Sequence, residues 1–311
     1  MNLKLFFLAF FISLLWWGGV NYFQGNLENV FYAQISQPME EAVFVNFPQE
    51  PATPELNLQA KAALAIRVNK KGSKKSLFSQ NASQPLPIAS LTKLMTALVV
   101  FENTAEQDYN FSNLVTVSET AAAKEDVPVF GNLKKGDKLL LERVLELMLI
   151  YSSNDAAAAL SEIIGEENFV DRMNQKAQSL GLENTHFVNP TGLDPKDIHY
   201  EENNIEYFNH STVEDLIKLA QYILKGYPKI FEISLSQGPY PVENGTSDLI
   251  IPEKFKFLGG KTGYTDEAGG CMLLVLENEK GSELINVILG APSPEIRITE
   301  AQKIIDYQAR L

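Results

Sequence analysis

Strand-like patterning in this chain is confined to two widely separated places, and that separation is the strongest constraint on its fold. Ala62 to Val68 reads as a strand, the polar run Asn69 to Lys75 with Gly72 as a turn, and Ser76 to Ser79 as the returning strand. The next such signals come only after Pro252: Cys271 to Leu276, a polar turn through Gly281, and Leu284 to Leu289. Between the two places the period is helical. Leu91, Leu94, Met95, Leu98 and Val99 share one face of a helix beginning beside Ser90, and Val144, Leu145, Met148 and Leu149 share another. Phe169, Val170, Met173, Ala177 and Leu180 form a third face that closes at Gly181. Ser211 and Glu214 have capping-box spacing ahead of Leu216, Ile217, Leu219, Ala220, Ile223 and Leu224, and a last helix is expected from near Pro294. The first and last strands share a core most simply by pairing. The expected class is therefore α/β of the α+β kind: one antiparallel sheet joining distant parts of the chain, flanked by helices.

The N-terminus reads as an address. Leu5 to Val20 carries no charge and follows Lys4, and Trp16, Trp17, Tyr22 and Phe23 stand at its outer end. A signal peptide and a signal anchor both fit, and retention is favoured because cleavage after Ala33 would put Phe31 where a small side chain is wanted. No Lys or Arg occurs between residues 5 and 60, whereas Glu28, Glu40, Glu41, Glu50 and Glu55 follow the apolar run. By the positive-inside rule the bulk of the chain lies outside the cytoplasm. We expect residues 1–33 to be the anchor or signal, 34–54, with Pro38, Pro48, Pro51 and Pro54, a spacer, and 55–311 the folded domain.

Charge and cysteine usage remove several function classes. With 39 acidic and 26 basic residues the net charge is −13, and no strongly basic cluster breaks the acidity, which argues against nucleic acid as a partner. Cys271 is the only cysteine and sits in an apolar run, so an intrachain disulfide and a multi-thiolate zinc site are excluded. His186, His199 and His210 have no metal-ligand pattern, and neither a metal nor an organic cofactor is expected.

Three short motifs carry chemistry: Ser90-Leu91-Thr92-Lys93, Ser152-Ser153-Asn154 and Lys261-Thr262-Gly263. A chain this long holds roughly one Ser-x-x-Lys by chance but only on the order of 0.1 Lys-Thr-Gly. At a helix start, Ser90 and Lys93 share one face, so a neutral Lys93 could take the serine proton, and positive crowding from Lys261 would help keep it neutral. The backbone NH of Ser90 can face the oxygen that becomes negative in acyl transfer. Ser152 can relay a proton to a leaving amine, and Asn154 can hold Lys93 and hydrogen-bond a substrate amide. Glycines flanking Lys261-Thr262-Gly263 let an extended peptide pair with an edge strand, leaving the Thr262 hydroxyl and Lys261 charge for its carboxylate end and the Tyr264 NH as second oxyanion donor. A Walker phosphate loop fails, because position 255 is Phe where that loop needs Gly.

Together with Pro87 to Ala97, Asn189-Pro190-Thr191-Gly192-Leu193, Ser211-Thr212 and Gly263-Tyr264-Thr265, these motifs resemble the serine D-alanyl-D-alanine carboxypeptidases, the low-molecular-mass penicillin-binding proteins, over about residues 55–311. The resemblance implies a β-lactamase/DD-peptidase-like fold with an all-helical subdomain. It also implies Ser90 as acylated nucleophile, Lys93 as base, Ser152 and Asn154 as relay and positioning pair, and Lys261, Thr262, Gly263 and Tyr264 as the substrate-binding strand. Arg297 stands where the family often helps to bind the terminal carboxylate. Implied partners are peptidoglycan stem peptides, β-lactams as covalent inhibitors, and the bacterial membrane through the N-terminal segment, with the domain on its extracytoplasmic side or secreted. Many relatives carry a further β-rich domain and a terminal membrane helix, for which 50 residues after Lys261 leave no room, so attachment is expected at the N-terminus. The acidic stretch 194–209 is longer than in many relatives and is expected to rim the cleft. Three alternatives stay open: a DD-endopeptidase, a class A-like β-lactamase, which the lack of Glu-x-x-Leu-Asn between Asn154 and Lys261 disfavours, and a non-catalytic binding protein.

Overall fold

The computed structural model describes residues 56–106, 110–124, 132–235 and 246–311. The expected anchor and spacer lie outside the described residues, and among the described ones no helix is long and apolar enough to cross a membrane. Along the chain come β1 (Ala62–Val68), β2 (Lys74–Gln80), β3 (Leu86–Pro87), a 3-10 turn (Ala89–Leu91) and α1 (Thr92–Glu106). Next are β4 (Leu114–Thr116), α2 (Glu119–Ala122), β5 (Lys138–Leu140), α3 (Leu141–Ile150), α4 (Asn154–Ser161) and α5 (Glu166–Ser179). Then follow β6 (His210–Ser211), α6 (Val213–Gly226), α7 (Lys229–Ser234), β7 (Phe255–Thr265), β8 (Gly269–Asn278), β9 (Glu283–Ala291) and α8 (Pro294–Arg310).

The five-stranded sheet has the order β2-β1-β9-β8-β7, antiparallel throughout, so the first and last parts of the chain do pair, with Ala65 opposite Asn286. Alternation along each strand feeds two cores. Leu64 and Ile66 of β1, Leu273 and Val275 of β8, and Ile285 and Val287 of β9 join one core with α1, α3, α4 and α6. Ala63, Ala65, Leu274, Leu276, Leu284 and Ile288 join the other with Ala301, Ile304 and Ile305 of α8. A sheet covered on both faces needs apolar residues at consecutive positions, which is why β8 and β9 read as unbroken apolar runs. The remaining edge, β7, is left beside the turn that carries Ser90.

Two local readings are corrected. Helix α6 is capped by Thr212, whose side chain accepts from Asp215 N, one residue after the expected Ser211. Ser211 belongs to β6, paired with Leu86, and its extended backbone commits its hydroxyl to Thr185 at 2.7 Å. Ser90 does not open the α-helix but lies in the 3-10 turn, so that α1 begins at Thr92. The helical side also holds a two-stranded β4–β5 ribbon, with Leu114 opposite Leu140, that the residue pattern does not signal.

Candidate active site

The turn that carries Ser90 is bent by Ala89, a non-glycine residue at φ 45°, and the chain enters α1 directly after it. Strain of this kind persists only where surrounding structure holds it. Here the holding comes from two glycines. A Cβ on Gly192 would lie 2.0 Å from the Ala89 carbonyl oxygen, and one on Gly263 would lie 2.8 Å from the Ser90 nitrogen. Only residues without side chains let the 188–193 turn and β7 come this close.

Lys93, in the first turn of α1, is wholly buried. Its Nζ lies 2.9 Å from Ser90 Oγ, 2.7 Å from Asn154 Oδ1 and 2.6 Å from the Thr191 carbonyl oxygen. Asn154 is delivered by the junction of α3 and α4: Ser152 adopts φ 63°, and Ser153 caps α4 by accepting from Ala156 N at 3.0 Å. The left-handed residue reverses the chain between the two helices and leaves Ser152 half-buried, facing Lys261, whose Nζ donates to Ser152 Oγ at 2.9 Å and to the Thr262 carbonyl at 2.8 Å.

The structure therefore links Ser90, Lys93 and Asn154 directly, and Ser152 to Lys261. Gly263 packs against the Ser90 nitrogen, Thr262 is half-buried, and Tyr264 is exposed with its hydroxyl 3.3 Å from Asp266 Oδ1. Arg297 is buried in the first turn of α8 and donates to the Gly263 carbonyl at 2.9 Å, so it braces the strand from behind. The 194–209 segment meets the β7–β8 turn: Asp194 accepts from Thr265 Oγ1 at 3.0 Å and from Glu267 N, and Glu267 accepts from Tyr200 N at 2.7 Å.

Lys93 and Arg297 both lie close enough to Lys261 for their charges to act on it. Burial, then the Lys93 ammonium, then the Arg297 guanidinium hold Lys261 well below its ordinary pKa of 10.5. Burial likewise lowers Arg297. Because the folded chain releases the Lys261 proton before the unfolded chain does, the unfolded state binds more protons between the depressed value and 10.5, and stability rises with pH across that window. Below the window the full penalty is present. Lys261→Met removes it, and a gain on the order of 1 kcal/mol is expected at neutral pH, shrinking as pH approaches 10.5. Thermal melts from neutral to alkaline pH measure this, and a variant that melts below the wild type at pH 7 contradicts it.

Sequence motifs located the three-part set but gave no role to the groups that aim it. The Thr191 carbonyl is a backbone atom with no side-chain signature, although Asn189 to Leu193 stands out as a family-like run. Asn209, which orders that run, carries no motif signal. Asp155, in the first turn of α4, is buried and accepts from Leu133 N at 3.1 Å.

A Ser-x-x-Lys turn wedged against a Lys-Thr-Gly edge strand, with a Ser-x-Asn junction closing the third side, defines the penicillin-binding, β-lactamase-like class of serine folds. The chain belongs to the Peptidase S11 D-alanyl-D-alanine carboxypeptidase family, whose profile matches residues 48–293. It is 33% identical over 265 residues to D-alanyl-D-alanine carboxypeptidase DacF of Bacillus subtilis, covering 82% of this chain and 63% of that one. It is 34% identical over 212 residues to the D-alanyl-D-alanine endopeptidase of Escherichia coli, covering 64% of this chain and 62% of the relative. The chain therefore spans less than two thirds of either relative's length. Among solved structures, penicillin-binding protein D2 of Listeria monocytogenes in its cefotaxime-bound form superposes with a TM-score of 0.64 at 28% identity, over 82% of this chain and 99% of that one.

Proposed function

We propose that this protein is a serine D-Ala-D-Ala carboxypeptidase acting on peptidoglycan stem peptides. Ser90 Oγ attacks the carbonyl of the penultimate D-alanine as its proton passes to the Lys93 amine. The oxygen that becomes negative is met by the backbone NH groups of Ser90 and Tyr264. The C–N bond to terminal D-alanine then breaks, the proton taken by Lys93 is relayed through Ser152 to the leaving amine, and water hydrolyses the acyl-enzyme. Lys261 and Thr262 favour the terminal carboxylate, Arg297 adding only its positive charge from behind the strand, and Asn154 orients both Lys93 and the substrate amide. The observation that carries this reading is the 2.9 Å approach of the buried Lys93 Nζ to Ser90 Oγ, hydrogen-bond reach for a base beside its nucleophile.

Intact-mass measurement after incubation with a penicillin is expected to give one covalent adduct per chain, absent in Ser90→Ala. An adduct that survives in Ser90→Ala refutes the assignment of the nucleophile. A relative named as an endopeptidase gives a second reading of the same site, and assay of a monomeric pentapeptide beside cross-linked dimers separates the two. Fast penicillin turnover would instead mark a β-lactamase. Peptidoglycan-fragment binding without an adduct would mark a binding protein. The N-terminal segment is the proposed membrane attachment, with the domain outside the cytoplasm and the 194–209 segment at the rim of its cleft.

A further inference from the structure

We infer that Asn209 is a positioning residue for acyl transfer: by pinning the 188–192 turn to α1, it fixes the Thr191 carbonyl that aims the Lys93 lone pair at Ser90. This rests on the acyl-transfer reading and adds to it a residue outside the three motifs.

The need arises from the valence of Lys93. Oxygens of Ser90, Asn154 and Thr191 lie around Nζ at 2.9, 2.7 and 2.6 Å. An ammonium donates to all three. A neutral amine has two N–H bonds and one lone pair, so it serves as base only when both N–H bonds are engaged away from the serine. Asn154 Oδ1 and the Thr191 carbonyl are the two acceptors that engage them, and the lone pair is then left facing the Ser90 hydroxyl. With the Thr191 carbonyl displaced, the amine is free to turn an N–H onto Ser90 Oγ and its lone pair away from the proton it must take.

That carbonyl belongs to a turn whose place is set by Asn209, which is 4% exposed. Its Oδ1 accepts from Val188 N at 2.6 Å and Asn189 N at 3.1 Å. Its Nδ2 donates to Thr92 Oγ1 at 3.0 Å and to the Asn189 carbonyl at 2.9 Å. The amide has one orientation, since two N–H donors require the oxygen on their side. The Asn209 carbonyl also accepts from Ile88 N at 3.1 Å, two residues before Ser90. One side chain and its backbone thus tie together the segment entering the Ser90 turn, the first residue of the Lys93 helix and the turn carrying Thr191. Thr96, one helical turn after Thr92, adds a second tie by donating to the Pro190 carbonyl at 2.7 Å.

Stopped-flow acylation by a fluorescent penicillin, expressed per titratable site, separates pre-covalent binding from the acylation rate constant. In Asn209→Ala the acylation constant is expected to fall on the order of 10²-fold, as for a misaligned reacting group, with pre-covalent binding changed by less than about twofold. Thr92→Val, which removes one acceptor of Asn209 and keeps the side-chain shape, is expected to fall about tenfold, and Thr92→Ser to recover most of the loss. Should Asn209→Ala fail to fold, the Thr92 pair carries the test. An unchanged acylation constant in the folded Asn209→Ala or Thr92→Val chain overturns the inference, as does parallel loss of binding and acylation. A wild-type chain that takes no penicillin defeats the acyl-transfer reading itself. A wild type that acylates beside an unimpaired Asn209→Ala defeats only the positioning role.

Discussion

Lys93→Met is expected to slow acylation of Ser90 by on the order of 10³-fold, the usual worth of a well-placed general base, in a protein that remains folded. The serine hydroxyl is a weak nucleophile unless a base takes its proton as the new bond forms. Lys93 is the amine within reach, at 2.9 Å from Ser90 Oγ, and it is wholly buried. Methionine fills much the same volume without the charge, so the substitution tests chemistry more than packing. It leaves Asn154 Oδ1 and the Thr191 carbonyl without their donor, a cost offset by removing one of three neighbouring cations. Loss of the Lys93 charge also relieves Lys261, whose pKa is expected to move back toward its ordinary range. Stopped-flow acylation by a penicillin gives the rate, and intact mass after long incubation shows whether Ser90 still reacts. A rate within tenfold of the wild type would show that the serine proton leaves by another route, with the Ser152–Lys261 pair as the next candidate.

The division between what sequence revealed and what it did not follows from where the information resides. The sheet was legible because β8 and β9 are covered on both faces, which demands consecutive apolar residues and leaves a signal unlike the helical period between the chain ends. Ser90 and Lys93 were legible as a pair because the chain between them, a 3-10 turn running into α1, keeps residues three apart on one side. Moving the helix start from Ser90 to Thr92 leaves that relation intact. The β4–β5 ribbon was not legible: each strand is three residues long, and β4 buries only Val115. Arg297 stands in the first turn of α8, where sequence gives no sign that Gly270 leaves room for it to lie buried and reach the Gly263 carbonyl. Thr191 and Asn209 illustrate the deeper limit. One acts through a backbone carbonyl available to any residue, and the other through bonds to segments more than a hundred positions away in the chain.

The second large effect is expected from Gly192→Ala, set beside Gly181→Ala as its control. Both glycines have positive φ, 85° and 64°, so both substitutions carry a left-handed backbone cost of roughly 1–2 kcal/mol. At Gly181, just past α5, nothing lies within 4 Å of the added carbon, and the backbone cost is the whole of it. At Gly192 the new Cβ would stand 2.0 Å from the Ala89 oxygen, 2.5 Å from its carbonyl carbon and 3.0 Å from the Ser90 nitrogen. Those atoms are backbone and have no rotamer to yield. Either the 188–193 turn must retreat, taking the Thr191 carbonyl from Lys93, or the Ser90 turn, which also lies close against Gly263, must shift. Both routes disturb Ser90 and Lys93 by a distance that, for the proposed acyl transfer, costs on the order of 10²-fold in rate. Gly192→Ala is therefore expected to lose about 3 kcal/mol or more of stability and at least that 10²-fold in acylation, whereas Gly181→Ala loses only the backbone term and acylates as the wild type does. Thermal melts and acylation rates on the two variants measure the difference. Equal behaviour of the pair would mean that the turn bearing Thr191 does not press on the turn bearing Ser90, and the contact that holds Ser90 in place would have to be sought along β7 alone.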